Sequence, residues 1–297
     1  MTTLERMFAY SGVQKYHAKG LKGKGIRVVN CETTKGEHGA KTTEVLRMVA
    51  PEAEILNCSV STTVGSRGAS LSFVYEGVAY SPEEFYEAVK PDIMTASLAG
   101  KKPQPTLAAL IQPLLDQGVI FFNCIGNTMD DANYGFFIDY ALNIGAAGWQ
   151  NEDYSQVVVR GYSMPDPDFV AFEGDKYHGT SFSTPFAAGM AALVLQNRCK
   201  MDQIELELLF DEYAETIDTY SKCGNGLLIM PPLLEEDQQK GEEYMFKDIE
   251  PDRWSFKDIE WCVNKGYLKG FPDETFRPEE PITREQLAVV LKRLETK

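Results

Sequence analysis

Histidine is scarce in this chain: three in 297 residues, at positions 17, 38 and 178. Any chemistry that needs an imidazole must therefore use one of three identifiable side chains. The six cysteines, at 31, 58, 124, 199, 223 and 262, form no Cys-x-x-Cys pair and no spacing with histidine that suits zinc. Several sit in apolar runs such as FFNCIG, so buried thiols are expected rather than a disulfide framework. Positive charge is also short, with 29 Lys and Arg against 44 Asp and Glu and a net charge of -15. That balance opposes the counterion release on which nucleic-acid binding depends, and neither nucleic acid nor an anionic membrane is expected as a partner. No run of about 18 apolar residues is present, so no membrane span is expected. The first residues, MTTLERMFAYSG, lack the basic and then apolar regions of a signal peptide. The chain is expected to stay in the cytoplasm or to leave it by a route the sequence does not show.

What is present describes an ordinary folded protein, 43% hydrophobic and 25% charged. Single cores stop growing near 250 to 300 residues, so this length fits one large domain and a small one. GKGIRVVNCE (23–32) reads as a buried strand entered from a glycine turn, and HGAKTTEVLRMVAPEAEILNCSV as a helix, a proline stop and a strand. A helix capped by Ser81 with Pro82 at its first position precedes a strand ending near Ser97. Helix, glycine and apolar strand recur in PTLAALIQPLLDQGVIFFNCIGN, and YALNIGAAG adds a short strand. Strands alternating with helices predict an α/β fold, a mostly parallel sheet with helices on both faces. In such sheets, sites collect at the carboxyl ends of the strands, where Glu32, Ser97 and Asn127 fall.

Near residue 232 the composition turns polar and acidic, in PPLLEEDQQKGEEY. Three segments follow from it: a domain over 1–231, a linker over 232–244 and a small all-α module over 245–297. In the module the pentapeptide FKDIE occurs at 246 and again at 256, too close for a solenoid repeat.

Candidate chemistry collects in YHGTSFSTPFAAGMAALVLQ (177–196). Glycine turns bring Ser181 to the start of a helix with Pro185 in its expected first turn and small residues for close packing. A hydroxyl there lies beside unpaired backbone N–H groups that could stabilise an oxyanion. The same pattern also fits an N-cap serine before a buried helix. His38, in NCETTKGEHGAKT, follows the two carboxylates Glu32 and Glu37, as a base with its orienting acid or as a surface loop residue. His178 reads as a polar loop residue and His17 as exposed.

Taken together these segments resemble the subtilisin-like serine proteases, the subtilases. HGTSFSTPFAAGMAALVL is similar to the family's serine motif, EHGAKTTEVLRMVAPEAEI to its histidine motif and GVIFFNCIGN to its strand ending in the oxyanion asparagine. GLKGKGIRVVNCE resembles the strand ending in the catalytic acid, and PDIMTASLAG the strand lining the substrate cleft. The order acid, His, Asn, Ser also matches over roughly residues 10 to 230. The resemblance implies Ser181 as nucleophile, His38 as base, and Asn127 with the Ser181 N–H as oxyanion donors. It implies Ser97, Leu98, Ala99 and Gly100, with Gly126, as the lining that binds a peptide or protein substrate. The departure is Glu32, where the family carries aspartate; a longer acid can still accept the imidazole N–H. Only five residues separate it from His38. An inactive, peptide-binding relative is the alternative this substitution raises. No cofactor is expected; calcium, frequent in the family, has only the loose carboxylate cluster MDDANYGFFID to offer.

The small module resembles a single S-layer homology module, through its Phe-x-Asp, Trp, Gly-x-x-x-Gly, Asp-x-Thr-Phe-x-Pro and Ile-Thr-Arg-Glu landmarks over 246–294. That resemblance implies binding to bacterial cell-wall polymer, with Trp254, Arg284 and Glu285 as candidate contacts. Because such modules normally occur as three copies, a single copy would have to self-associate, bind weakly or serve only as an interaction tail. With no signal peptide seen, delivery to the cell envelope by a phage particle or release on lysis would reconcile the two.

Overall fold

The computed structural model describes residues 1–32, 36–65, 68–101, 105–127, 133–137, 140–174, 176–198, 201–234, 246–250, 253, 255–264, 267–271 and 273–295. The chain divides into two compact units, Met1–Leu234 and Glu235–Lys297. Residues 235–245, most of the expected linker, lie outside the description.

The first unit begins with α1 (Thr3–Ser11) and α2 (Val13–Ala18) and continues β1 (Arg27–Glu32), α3 (Glu37–Val49) and β2 (Glu54–Gly65). β3 (Gly68–Tyr75), β4 (Val78–Tyr80), α4 (Pro82–Val89), β5 (Ile93–Ala96) and β6 (Ala99–Gly100) follow. Next come α5 (Pro105–Ala108), a 3-10 turn, α6 (Gln112–Leu115), β7 (Ile120–Cys124), β8 (Gly126–Asn127) and β9 (Asn133–Gly135). β10 (Leu142–Trp149), β11 (Val157–Val159), β12 (Phe169–Phe172), α7 (Thr180–Arg198), α8 (Gln203–Tyr213) and α9 (Tyr220–Cys223) complete it.

The main sheet has the order β11-β10-β7-β5-β1-β2-β3-β4, with β12 beside β10. Its centre, from β10 to β2, is parallel, and β11, β3 and β4 are antiparallel additions at the two edges. Parallel strands covered on both sides are buried on both faces and mostly apolar, and the central strands follow this, with Asn30, Thr95, Asn123 and Asn143 as buried polar exceptions. Val28, Ile93, Ile120 and Phe122 pack into one core with α1, α3 and α7. Their neighbours Val29, Met94 and Phe121 pack into the other core with α4 and the α5–α6 segment. The two-residue period of a strand thus serves both faces. Helix α4 opens on the expected Ser81 cap, whose hydroxyl accepts from Glu84 N with Pro82 at the first position. The first half of β2 is expected from the sequence as a strand; its continuation into a long hairpin with β3, and the edge strand β11, are not.

Two close approaches fix the helices that matter below. A Cβ at Gly189 of α7 would lie 2.6 Å from Val49 Cβ of α3, so alanine there would force the helices apart at about 1–3 kcal/mol. A Cβ at Gly39 would lie 3.1 Å from Glu32 Cγ, so the start of α3 runs directly over the end of β1. His17, expected on the surface, is instead half-buried: its Nε2 lies 2.7 Å from Val49 O, and its ring meets Phe8 edge-on.

The second unit has helices over Phe256–Asn264 and Arg284–Glu295 around a core of Phe246, Ile249 and Ile259. Gly270 is needed there, because a Cβ would fall 1.9 Å from the Phe246 ring. Ile282 and, on the second helix, Leu287, Val289 and Leu291 are exposed, beside a groove of about 770 Å³. Arg284 is exposed at the start of that helix; Trp254 and the Glu285 side chain lie outside the description.

Candidate active site

β1 ends in Glu32, a carboxylate only 7% exposed. Its two oxygens are assigned separately. Oε2 lies 2.9 Å from His38 Nδ1, and Oε1 accepts from Thr42 Oγ1 at 2.9 Å. Thr42 sits one helical turn beyond His38 on the same face of α3, so one helix supplies both groups that meet the carboxylate. Behind them Asn30 Nδ2 donates to Thr42 Oγ1 at 3.0 Å and to Thr43 Oγ1 at 3.1 Å. Glu37 turns away, pairing with Lys41 at 2.6 Å with its side chain 83% exposed.

The bond to Glu32 raises the His38 pKa above its ordinary 6.5, overcoming partial burial, which lowers it. A raised imidazole pKa means that the folded state favours the cation. The pair therefore stabilises the fold fully below pH 6.5, and that contribution is lost as the pH rises through the folded value. With a side chain 47% exposed the effect on stability is modest. The expected result by NMR is a His38 ring titrating above 6.5, its midpoint falling in Glu32→Gln.

Ser181 is the second residue of α7 and half-buried between the buried Thr180 and Phe182. Pro185, expected in the first turn, is the sixth residue of the helix. Its consequence is local: with no N–H, proline cannot take the Ser181 carbonyl four residues back. That carbonyl accepts instead from Ser97 Oγ at 2.7 Å, which ties the start of α7 to the end of β5. The serine motif's proline thus frees the group that Ser97 holds. Phe182 lies 5.6 Å from the His38 ring and stacks on Tyr177 at 4.9 Å. Among the described residues no hydrogen bond joins Ser181 Oγ to His38.

Asn127 ends β8. Its Oδ1 accepts from Thr180 N at 3.2 Å and Thr180 Oγ1 at 3.3 Å, which directs the amide donors away from Thr180. Gly179 N is taken by Glu173 Oε2 at 2.9 Å. With Gly179 and Thr180 occupied, Ser181 N is a backbone donor at the head of α7 with no hydrogen bond among the described residues. Gly126, at φ +109°, could carry no side chain, since a Cβ would meet Asn133 O at 1.7 Å. Ala99 and Gly100 form an edge of a small sheet, β6-β9-β8, pairing on one side with Gly135 and Tyr134. Ser97 and Leu98 are buried and serve the interior: Leu98 O accepts from Phe136 N at 3.1 Å.

The arrangement brings an acid, an imidazole and a hydroxyl-bearing helix start into one region, beside two amide donors. Thiols are not competitors. Cys31 and Cys124 are buried, which pushes the first well up and the second to about 12. Asp130 and Asp131, of the loose carboxylate cluster, lie outside the described residues. Sequence reasoning did not single out Thr42, Arg160, Tyr162 or Glu173. A carboxylate closing the apolar run FVAFE was the available signal for Glu173.

The family model described as "Subtilase family" matches residues 32–210, and that of the S-layer homology domain matches 246–288. Subtilisin Savinase of Lederbergia lenta is 24% identical over 192 residues, 61% of this chain and 67% of that protein. A cellulosome-anchoring protein of Acetivibrio thermocellus is 54% identical over 50 residues, 16% of this chain and 11% of that protein. The chain thus spans a small part of the second relative's length. Fervidolysin from Fervidobacterium pennivorans, a keratinolytic enzyme related to subtilisin, superposes with a TM-score of 0.56 at 15% identity, over 74% of this chain and 44% of that one.

Proposed function

This chain belongs to the subtilase family, with an S-layer homology module following the subtilase domain, and from that premise we propose that it is a serine endopeptidase with a Ser-His-Glu triad, attached to the cell envelope. In this reading Ser181 Oγ attacks the carbonyl of a peptide bond while His38 Nε2 takes its proton. Glu32 accepts the Nδ1–H, which keeps Nε2 as the basic nitrogen and steadies the imidazolium as it forms. The oxyanion receives Asn127 Nδ2 and the Ser181 N–H, donors that stabilise charge as it develops. His38 then protonates the leaving amine, and water releases the acyl group by the same route in reverse. The open edge of Ala99–Gly100 receives the substrate as an added strand.

The observation that carries the proposal is the carboxylate of Glu32 on His38 Nδ1 at 2.9 Å with its second oxygen anchored by Thr42. Glutamate has one more rotatable bond than aspartate, and the Thr42 hydroxyl removes the freedom that bond adds. Thr42→Val should therefore lower kcat/KM about tenfold, a hydrogen bond to a charged group being worth ~1.5–3 kcal/mol, and Thr42→Ser should restore most of it. A Thr42→Val enzyme as active as wild type would mean that Glu32 holds itself.

The lack of a Ser181–His38 hydrogen bond favours a second reading, a domain that binds peptides without cleaving them. Incubation of the intact chain with a fluorophosphonate, followed by mass analysis and peptide mapping, decides between them. The protease should gain one adduct, on Ser181; a folded protein that stays unlabelled while retaining peptide binding is the binder.

For the second unit we propose attachment to a cell-wall polymer, with Trp254, Arg284 and Glu285 as contacts. The match to a stretch of a cellulosome-anchoring protein supports it. The exposed apolar side chains Leu287, Val289 and Leu291 suit self-association of the module.

A further inference from the structure

Glu173 lies just past the end of β12, and no part of its side chain reaches solvent appreciably, yet the triad chemistry does not use it. A fully buried carboxylate needs donors, and this one has four. Arg160 Nε donates at 2.7 Å, His178 Nδ1 lies at 3.0 Å, Gly179 N donates at 2.9 Å, and the Tyr162 hydroxyl bonds the second oxygen. Tyr162 Oη also accepts from Gly179 N at 3.1 Å.

These donors come from two different walls. Arg160 and Tyr162 belong to the segment after β11, which continues directly into the site: Ser163 bridges Asn127, and Met164 N donates to Gly126 O at 3.1 Å. His178 and Gly179 belong to the turn that delivers Ser181. One wall therefore carries the Asn127 amide and the other the Ser181 N–H, and the carboxylate is bonded to both. Arg160 is itself fixed, since its guanidinium lies where a Cβ of Gly148 would be, at 2.3 Å from Nη2, and its Nη1 donates to Trp149 O at 3.2 Å. Gly179 has φ +125°, a conformation that side chains rarely adopt and that places it beside Asn127. A backbone that free needs an external restraint, and the Glu173 bond to its N–H provides one.

We propose that Glu173 is a positioning residue for the oxyanion hole, holding the Gly179-Thr180-Ser181 turn and the Asn127 wall at the separation that lets the Ser181 N–H and the Asn127 amide converge on one oxygen. It touches no substrate. The proposal rests on the serine-protease reading above. It implies that the side chain matters more to the transition state than to bound substrate, because only the transition state carries the charge those donors meet.

The test compares wild type, Glu173→Gln and Tyr162→Phe in the full chain. Rates of fluorophosphonate labelling are separated into maximal rate and half-saturation, and a peptide boronic acid reports affinity for a tetrahedral anion. Glu173→Gln should lose about 10- to 100-fold in maximal rate with half-saturation changed less than about twofold, and boronate affinity should fall in parallel. Tyr162→Phe, which leaves the charge pairing intact, should lose about fivefold in the same way, and it carries the test if Glu173→Gln fails to fold. Variants that melt earlier but label at the wild-type rate and bind boronate normally would overturn the proposal and leave Glu173 a structural ion pair. A wild type that never labels would instead sink the protease reading, and this inference with it.

Discussion

Glu32→Gln is expected to lower kcat/KM by about 10⁴-fold, the scale on which triad carboxylates act. The size follows from the local hydrogen bonds. Thr42 Oγ1 accepts from Asn30 Nδ2 and donates to Glu32 Oε1 at 2.9 Å, the nearer of its two acceptors, Gly39 O lying at 3.1 Å. A glutamine at 32 satisfies that donor with its carbonyl oxygen, which turns its NH2 group toward His38 Nδ1. The imidazole must then accept at Nδ1 and keep its proton on Nε2, the tautomer that cannot take a proton from Ser181. The substitution is nearly isosteric, so the fold should survive, and labelling kinetics across the pH range measure the loss. Activity within tenfold of wild type would show that Glu32 is not the orienting acid.

Ser181→Ala should remove about 10⁶-fold of kcat and all fluorophosphonate labelling. The variant should still fold as wild type does, within about 0.5 kcal/mol. The structural tie of this residue is its carbonyl, which accepts from Ser97 and which alanine retains, while its hydroxyl has no hydrogen bond among the described residues. Adding Glu32→Gln to Ser181→Ala should cost almost nothing more, because an oriented base without a nucleophile has no proton to accept. If the two losses multiplied, the carboxylate would be acting outside the triad. Residual activity in either variant would come from Asn127 and the backbone N–H at position 181, which remain.

Much of this was legible in the sequence, for local reasons. The apolar runs ending at Glu32, Ala96 and Cys124 could only be strands buried on both faces, and sites in such sheets gather at those ends. HGAKTTEVL reads as a helix carrying His38 at its start, and the glycine turns before Ser181 read as leading into the head of α7. Other features were not legible. His17 was expected on the surface and is half-buried, because Phe8 and the Val49 carbonyl reach it from elements distant in the chain. Pro185 was expected in the first turn and lies just beyond it, as the sixth residue of a helix that begins at Thr180.

By itself, then, the sequence determined the alternating α/β order, the two-part organisation and the residue types that the chemistry draws on, because each depends on neighbours within a few positions. Only the tertiary structure decided which partners these residues have. Thr42 holds the second oxygen of the Glu32 carboxylate, Lys41 draws Glu37 away, and Glu173 gathers donors from segments on both walls of the site. A buried carboxylate is satisfied by whichever donors the packed sheet and helices bring within about 3 Å, and that is a property of the folded chain.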